Sequence, residues 1–274
     1  MKHTIYKSFG TFAATASLLT TSSIAGTEPA PAPAPAIQHA PGSILDEIAG
    51  NLHVSYANMY EFRFVDRGND LVSVGLDLAY DAGIVNITGG AWYGTWDAAS
   101  TGLINNQEEL DLYAGVSYDV TEDFSLEVGH ISYIFFDGSG DTNEIYVSGT
   151  YQLPYNLAVE STYFWDYDTA DGWYWDTNVS YSRELMESVA LELSAGVAVN
   201  GGNNRQASTS GVGDEDGIQG YYLGASLPWT VRENVTLAPY IRYTDAESGL
   251  ATNLAGTEAG GEHIIAGATL SIAF

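Results

Sequence analysis

The last twelve residues, His263-Ile264-Ile265-Ala266-Gly267-Ala268-Thr269-Leu270-Ser271-Ile272-Ala273-Phe274, alternate in character in steps of two back from the terminal aromatic. Ile264, Ala266, Ala268, Leu270, Ile272 and Phe274 fall on one face, and Gly267, Thr269, Ser271 and Ala273 on the other. A period of two is that of a strand, whose successive side chains point to opposite faces. An apolar strand at the very end of a soluble chain would fray and offer an unpaired edge to other chains. The terminal strand therefore needs a cover over its apolar face, and the rest of the chain decides whether that cover is a second sheet or lipid.

From Asn51 onward the same alternation recurs in twelve segments, expected near 51–65, 70–81, 84–97, 107–120, 124–137, 142–153, 156–168, 172–184, 188–200, 217–230, 234–246 and 262–274. Connections after the even segments are short, such as Ala82-Gly83, Thr121-Glu122-Asp123, Pro154-Tyr155, Leu185-Met186-Glu187 and Val231-Arg232-Glu233. The long connections, 98–106, 201–216 and 248–261, all follow odd segments. Short turns on one rim and long loops on the other are the arrangement of outer-membrane barrels, and an even count returns both chain ends to one side. The fourth segment puts Leu110, Leu112, Ala114, Val116, Tyr118 and Val120 opposite Glu109, Asp111, Tyr113, Gly115, Ser117 and Asp119. In lipid such an apolar face needs no second layer, and only helices or closed barrels satisfy the backbone there. The expected fold is all-β, a transmembrane antiparallel up-and-down barrel of about twelve strands. Its aromatic girdles are expected at Tyr60, Phe62, Phe64, Trp92, Trp96, Phe135, Phe136, Trp165, Tyr167, Trp173 and Trp175 on the outer rim, and at Tyr80, Phe124, Tyr155, Tyr181, Trp229 and Phe274 on the inner one. Pro239, which cannot donate to a ladder, predicts a bulge or break in the eleventh segment.

The N-terminus reads as an export signal over residues 1–25: Lys2 and Lys7 give the charge, Phe9 to Leu19 the apolar region, and Ser23-Ile24-Ala25 the cleavage site. Residues 26–42 are rich in proline and alanine, which alternate over 29–36 and favour an extended periplasmic linker. Ser43 as N-cap and Gly50 as C-cap predict a short helix over 43–50, followed by the barrel over 51–274. The formal charge of −27, with only eight basic residues, excludes a nucleic-acid partner, because no basic stripe is available for phosphates. The absence of cysteine fits an oxidising compartment.

Three strand-like stretches, Tyr60-Glu61-Phe62-Arg63, Glu109-Leu110-Asp111-Leu112-Tyr113-Ala114-Gly115-Val116-Ser117 and Glu144-Ile145-Tyr146-Val147-Ser148-Gly149-Thr150-Tyr151, resemble the uncharacterised proteobacterial outer-membrane family called Gcw_chp. The likeness spans roughly residues 51–185, with Phe64 standing where the family usually has glycine. It implies an integral outer-membrane barrel and no established activity.

Parity assigns the interior of such a barrel. Glu61, Arg63, Asp77, Glu109, Asp111, Glu127, Glu144, Glu160, Asp166, Asp176, Glu192 and Arg242 are expected to line the lumen, because a charge on the lipid face costs about 2–4 kcal/mol near the midplane. Carboxylates outnumbering arginines point to a small, passive, cation-favouring, porin-like channel. The alternatives are a barrel filled by its own side chains, serving as a structural or adhesive surface protein, and an outer-membrane enzyme. Arg63 and Arg242 are expected to bridge carboxylates on neighbouring strands, the alternative being contact with anions in a translocation path. His130-Ile131-Ser132 resembles the His-x-Ser pair of outer-membrane phospholipase A, but a turn centred on Ser139 would place the orienting partner, Asn143, opposite Phe135 and out of reach. A protease of the omptin kind would need His263 paired with acids such as Glu262 at the outer rim. No catalytic residue, metal site or cofactor is assigned, since no phosphate-cradling loop or Cys/His spacing occurs. Expected partners are outer-membrane lipid and lipopolysaccharide, the barrel-assembly machinery through the strand ending in Phe274, and divalent cations at acidic outer loops such as Asp137-Gly138-Ser139-Gly140-Asp141.

Overall fold

The alternating segments pair in sequence order into one closed antiparallel sheet. The computed structural model describes residues 48–98, 106–136, 141–169, 171–202, 217–246 and 261–274. Thirteen strands result: β1 (Ile48–Phe62), β2 (Val65–Asp81), β3 (Asn86–Ala98), β4 (Asn106–Asp119), β5 (Phe124–Phe135), β6 (Thr142–Leu153), β7 (Leu157–Asp166), β8 (Trp173–Met186), β9 (Val189–Gly201), β10 (Gly217–Ser226), β11 (Trp229–Arg232), β12 (Val235–Ala246) and β13 (Gly261–Ala273). The pairs Ser226↔Tyr240 and Trp229↔Leu237 keep β10 and β11 in one register against β12, so the two are halves of a single stave and the barrel has twelve staves. β13 closes the ring on β1, from Asn51↔Ala273 to Ala57↔Gly267.

The expected ends agree to within three residues at most boundaries, and β6 agrees at both. Two expectations fail locally. Residues 48–50 are strand, paired with Tyr80, Ala79 and Leu78, not the end of a helix capped by Gly50. Gly50 instead exchanges backbone hydrogen bonds with Phe274, 2.8 and 2.9 Å. A Cβ on it would lie 2.4 Å from the Phe274 ring, so the aromatic terminus seats on the glycine. The rest of that helix, the linker and the export signal lie outside the described residues. Pro239 is the second failure. β12 runs through it unbroken, paired with Ala268, and its carbonyl accepts from Leu227 N at 3.0 Å. The interruption falls on the facing stave at Leu227-Pro228, where a second proline also lacks a donor.

The outer wall is apolar. Leu112, Val116, Val147, Leu193 and Leu270 are all exposed, and Val128, Leu223 and Ile264 are 53, 55 and 61% exposed. A soluble protein does not expose an apolar wall all the way round. This is the architecture of outer-membrane β-barrels, and lipid is the cover that the terminal strand requires. Among the described residues no helix is long and apolar enough to cross a membrane.

Phe136, Trp165, Tyr167 and Trp175 are exposed near the outer rim, and Tyr155, Trp229 and Phe274 near the inner one, as girdles should be. Tyr60, Phe64, Trp92 and Trp96 correct the outer girdle: they are 1, 1, 4 and 5% exposed and lie inside the barrel. Alternation on β3 carries Trp92 and Trp96 to the same side as Thr88, away from exposed Ile87.

Candidate functional site

The interior is organised by the outer end of the β1–β2 hairpin, which folds into the barrel. The expected outer loop at 66–69 is part of β2, and the turn is the two-residue Arg63-Phe64, with Phe62 paired to Val65. Both turn residues are left-handed, φ 51° and 65°, the region that hairpin turns of this length demand and that glycine or asparagine usually supplies. A bulky residue there costs about 1–2 kcal/mol. Register shifts between Tyr60 and Glu61 and between Asn69 and Val72 bend the two strands, as bulges do. The bend encloses both faces of the strand end, so consecutive Tyr60 and Glu61 are each 1% exposed.

The tip is held by the opposite wall. Phe64 packs with Tyr146, Phe164, Tyr174, Ala198, Tyr222 and Ala246, contributed by β6, β7, β8, β9, β10 and β12. A Cβ on Gly220 would sit 2.6 Å from the Phe64 ring, so that glycine makes the seat. Arg63 crosses to β6 and donates from Nη1 and Nη2 to Glu144 Oε1 and Oε2 at 2.7 and 2.6 Å. Its guanidinium lies 4.9, 4.9 and 4.5 Å from the ring centroids of Phe62, Phe164 and Tyr174. Gln219 Nε2 donates to Arg63 O at 2.5 Å. Arg63 thus bridges a carboxylate across the interior, not on a neighbouring strand as its position in the sequence suggested.

The other charged residues sort by depth. Toward the outer end, Glu61 accepts from Thr244 Oγ1 at 2.7 Å and lies 2.9 Å from His263 Nδ1. Glu109 accepts from Tyr60 at 2.7 Å, and Asp111 is, like Glu109, 0% exposed. Asp166 accepts from Thr142 Oγ1 at 2.7 Å and from the backbone N–H of Asp168 and Thr169 at 3.0 Å, so it shapes the β7–β8 connection. Asp176 accepts from Tyr222 at 3.0 Å, and the Arg242 guanidinium lies 3.8 Å from the Tyr222 ring. Toward the inner end, Glu127 accepts from Tyr146 and Thr88 at 2.6 and 3.2 Å, Glu192 from Ser226 at 2.9 Å, and Asp77 from Tyr113 and, at 3.4 Å, from Asn51. His53 lies 3.4 Å from Asp77. Glu160 is buried on β7, whereas Asp77, Glu127 and Glu192 are half-buried.

Sequence reasoning missed Arg67. The alternation leaves it in an outer loop, yet its guanidinium lies 5.8 and 5.6 Å from the rings of Phe62 and Phe135. The fold at Gly68, whose Cβ would meet Asp97 O, is what turns that segment inward.

The enzyme readings meet two corrections. Asn143 pairs with Ser132, not Phe135, and Ser132 Oγ donates to Asn143 Oδ1 at 2.7 Å. His130 is bonded elsewhere, its Nε2 lying 2.7 Å from Tyr167 Oη, so the serine and histidine are held by different partners. His263 points inward to Glu61, while its neighbour Glu262 is exposed, so they do not form a rim pair. Residues 137–140 of the acidic hairpin lie outside the described residues; Asp141 Oδ1 accepts from Phe135 N at 3.2 Å.

Comparison with solved structures returns outer-membrane barrels. A channel from Pseudomonas putida F1 superposes with a TM-score of 0.53 at 10% identity, covering 83% of this chain and 95% of that one. The KdgM porin gives 0.49 at 10% identity over 82% and 99%, and LpxR from Salmonella typhimurium 0.47 at 10% over 81% and 99%. At these identities the likeness is one of fold. No curated protein matches the chain. The family model described as a bacterial protein of unknown function, Gcw_chp, matches residues 47–268, and the chain belongs to that family.

Proposed function

We propose that the protein is a small passive channel of the outer membrane, cation-favouring, and held nearly shut at its outer end by the β1–β2 tip. The observation that carries this reading is the tip itself. A barrel that serves only as a scaffold has no use for a hairpin tip that two bulges bend into its interior and an ion pair ties to the far wall, since burying that pair costs free energy unless the tip has a task. Toward the inner rim the interior carries half-buried Asp77, Glu127 and Glu192 among Ser and Thr side chains. Along the whole interior ten carboxylates, against Arg63, Arg67 and Arg242, raise the local concentration of cations and repel anions. The test is planar-bilayer recording of the refolded protein in asymmetric salt. Rare, small steps reversing toward the cation potential support the reading. Large steady currents reversing toward the anion potential refute it.

A further inference from the structure

The strand ladder leaves a seam in the wall where the barrel closes. β12 stays paired with β13 as far as Ala246↔Gly261, and β1 with β2 as far as Phe62↔Val65, but the β1–β13 ladder stops at Ala57↔Gly267. The same register would next join Asn58 to Ala266 and Tyr60 to Ile264, but β1 there follows the hairpin tip inward. A side chain stands in for the backbone. Ala266 N donates to Asn58 Oδ1 at 2.7 Å, and Asn58 Nδ2 donates to Ile264 O at 3.2 Å. One exposed amide thus holds two backbone groups of β13, on the face where Tyr56 and Ile264 are also exposed. Higher up, Glu61 and His263 meet side chain to side chain. Backbone groups without partners are costly in lipid, which is why a ladder that gives way to an amide within the wall needs a reason.

The lining changes at the same height. Below the last pair, β1 and β13 turn polar side chains inward: His53, Ser55, Thr269 and Ser271, with Ser55 Oγ 2.6 Å from Thr269 Oγ1. From the last pair outward, Ala57 and Ile265 join Tyr60, Leu71, Trp92 and Tyr240 in an apolar cluster behind the seam. Such a lining repels hydrated ions and suits a hydrocarbon chain.

We propose that the seam is a lateral doorway, through which the chain of an acyl amphiphile passes between β1 and β13 from the outer leaflet to this cluster, its polar end staying at Asn58, Glu61 and His263. Asn58 is the clasp, because its hydrogen bonds release without breaking any strand pair. The doorway goes beyond the channel reading and is measured without ion flow.

Replacing Trp165, Trp173, Trp175 and Trp229 with Phe leaves Trp92 and Trp96, both in the cluster, as reporters. Asn58→Cys with Ala266→Cys is added to that chain, which is refolded into vesicles of dibrominated phosphatidylcholine, whose acyl chains quench indole on contact. Emission is expected to match that in plain vesicles while the disulfide is closed, and to be quenched after reduction. A second variant serves if the four replacements prevent folding. In the otherwise native chain Ile265→Cys places a thiol where the side chain is 2% exposed. It is expected to react with an alkyl maleimide dissolved in the lipid and far more slowly with a charged maleimide in the water. Emission in brominated vesicles that stays equal to that in plain ones after reduction would overturn the doorway. So would a thiol that reacts with neither maleimide, or first with the charged one. Quenching in a barrel that passes no ions keeps the doorway and removes the channel, and ion steps without quenching do the reverse.

Discussion

Replacing Glu144 with Gln should open the barrel. Glu144 is 1% exposed and binds Arg63 through two charge-assisted hydrogen bonds of 2.6 and 2.7 Å. Removing one partner of a buried ion pair costs about 3–5 kcal/mol, chiefly because the other charge is left uncompensated. The lower end applies, since the glutamine carbonyl still accepts a hydrogen bond and Arg63 keeps its place against Phe164 and Tyr174, at roughly 0.5–2 kcal/mol for such contacts. Arg63 sits at a hairpin tip, so the system escapes the cost by swinging the tip into water instead of unfolding. With tenfold for each 1.4 kcal/mol, a loss of about 3 kcal/mol shifts the balance of docked and undocked tips about a hundredfold. Bilayer recording reads this as a hundredfold rise in the fraction of time spent conducting, while heat-modifiable gel mobility and strand content stay those of the folded barrel. An unchanged conducting fraction in a folded Glu144→Gln barrel, or a global stability loss of that size with no change in current, would show that the ion pair holds the wall and not a gate.

Other consequences follow from the same contacts. Gly220→Ala puts a methyl 2.6 Å from both the Phe64 ring and the Asp245 carbonyl oxygen, so it should raise conduction in the same recordings and also lower stability in denaturant unfolding, where β10 pairs with β12. Phe64→Gly relieves the left-handed strain but forfeits the buried ring, worth about 1.5–3 kcal/mol, so the tip should again undock, more weakly than in Glu144→Gln. Val116→Arg on the outer wall should lower stability by about 2–4 kcal/mol in denaturant unfolding from lipid vesicles if that wall faces lipid, and by almost nothing if it faces water. Phe274→Ala empties the seat on Gly50 where the first and last strands meet, and should slow insertion into vesicles, followed by gel mobility against time.

The wall was legible in the sequence because a period of two is a strong signal when it repeats. Leu112, Val116 and Leu270 were placed outward on alternation alone, and they are exposed. Glu109, Asp111 and Glu144 were assigned inward by the same parity, and they are buried. The parts that were not legible are those where backbone geometry overrides alternation. Nothing in Arg63-Phe64 advertises a tight turn, since neither residue favours positive φ; the exposed inner-rim turn at Tyr155-Asn156 takes the same left-handed pair, and it is the hydrophobic seat across the barrel that decides where the Arg63-Phe64 tip lies. Two bulges then shift the register, which hid Arg67 and sent Tyr60 inward when it had been placed in a girdle. The Ser132–Asn143 pairing was missed because the centre of the β5–β6 hairpin cannot be located from Asp137-Gly138-Ser139-Gly140-Asp141, where several turns fit. Pro239 predicts a break in its own strand, but β12 runs through it unbroken, and the break falls on the neighbouring stave at Leu227-Pro228.

The most direct test of the account locks the tip. The chain has no cysteine, so Phe64→Cys with Gly220→Cys introduces the only two thiols, at positions where a Cβ on Gly220 would lie 2.6 Å from the Phe64 ring. The oxidised double variant should be silent in planar bilayers, and reductant should produce cation-selective steps, because the tip is then both unlocked and stripped of its ring. Equal currents before and after reduction, with the disulfide shown to form and to break, would contradict it.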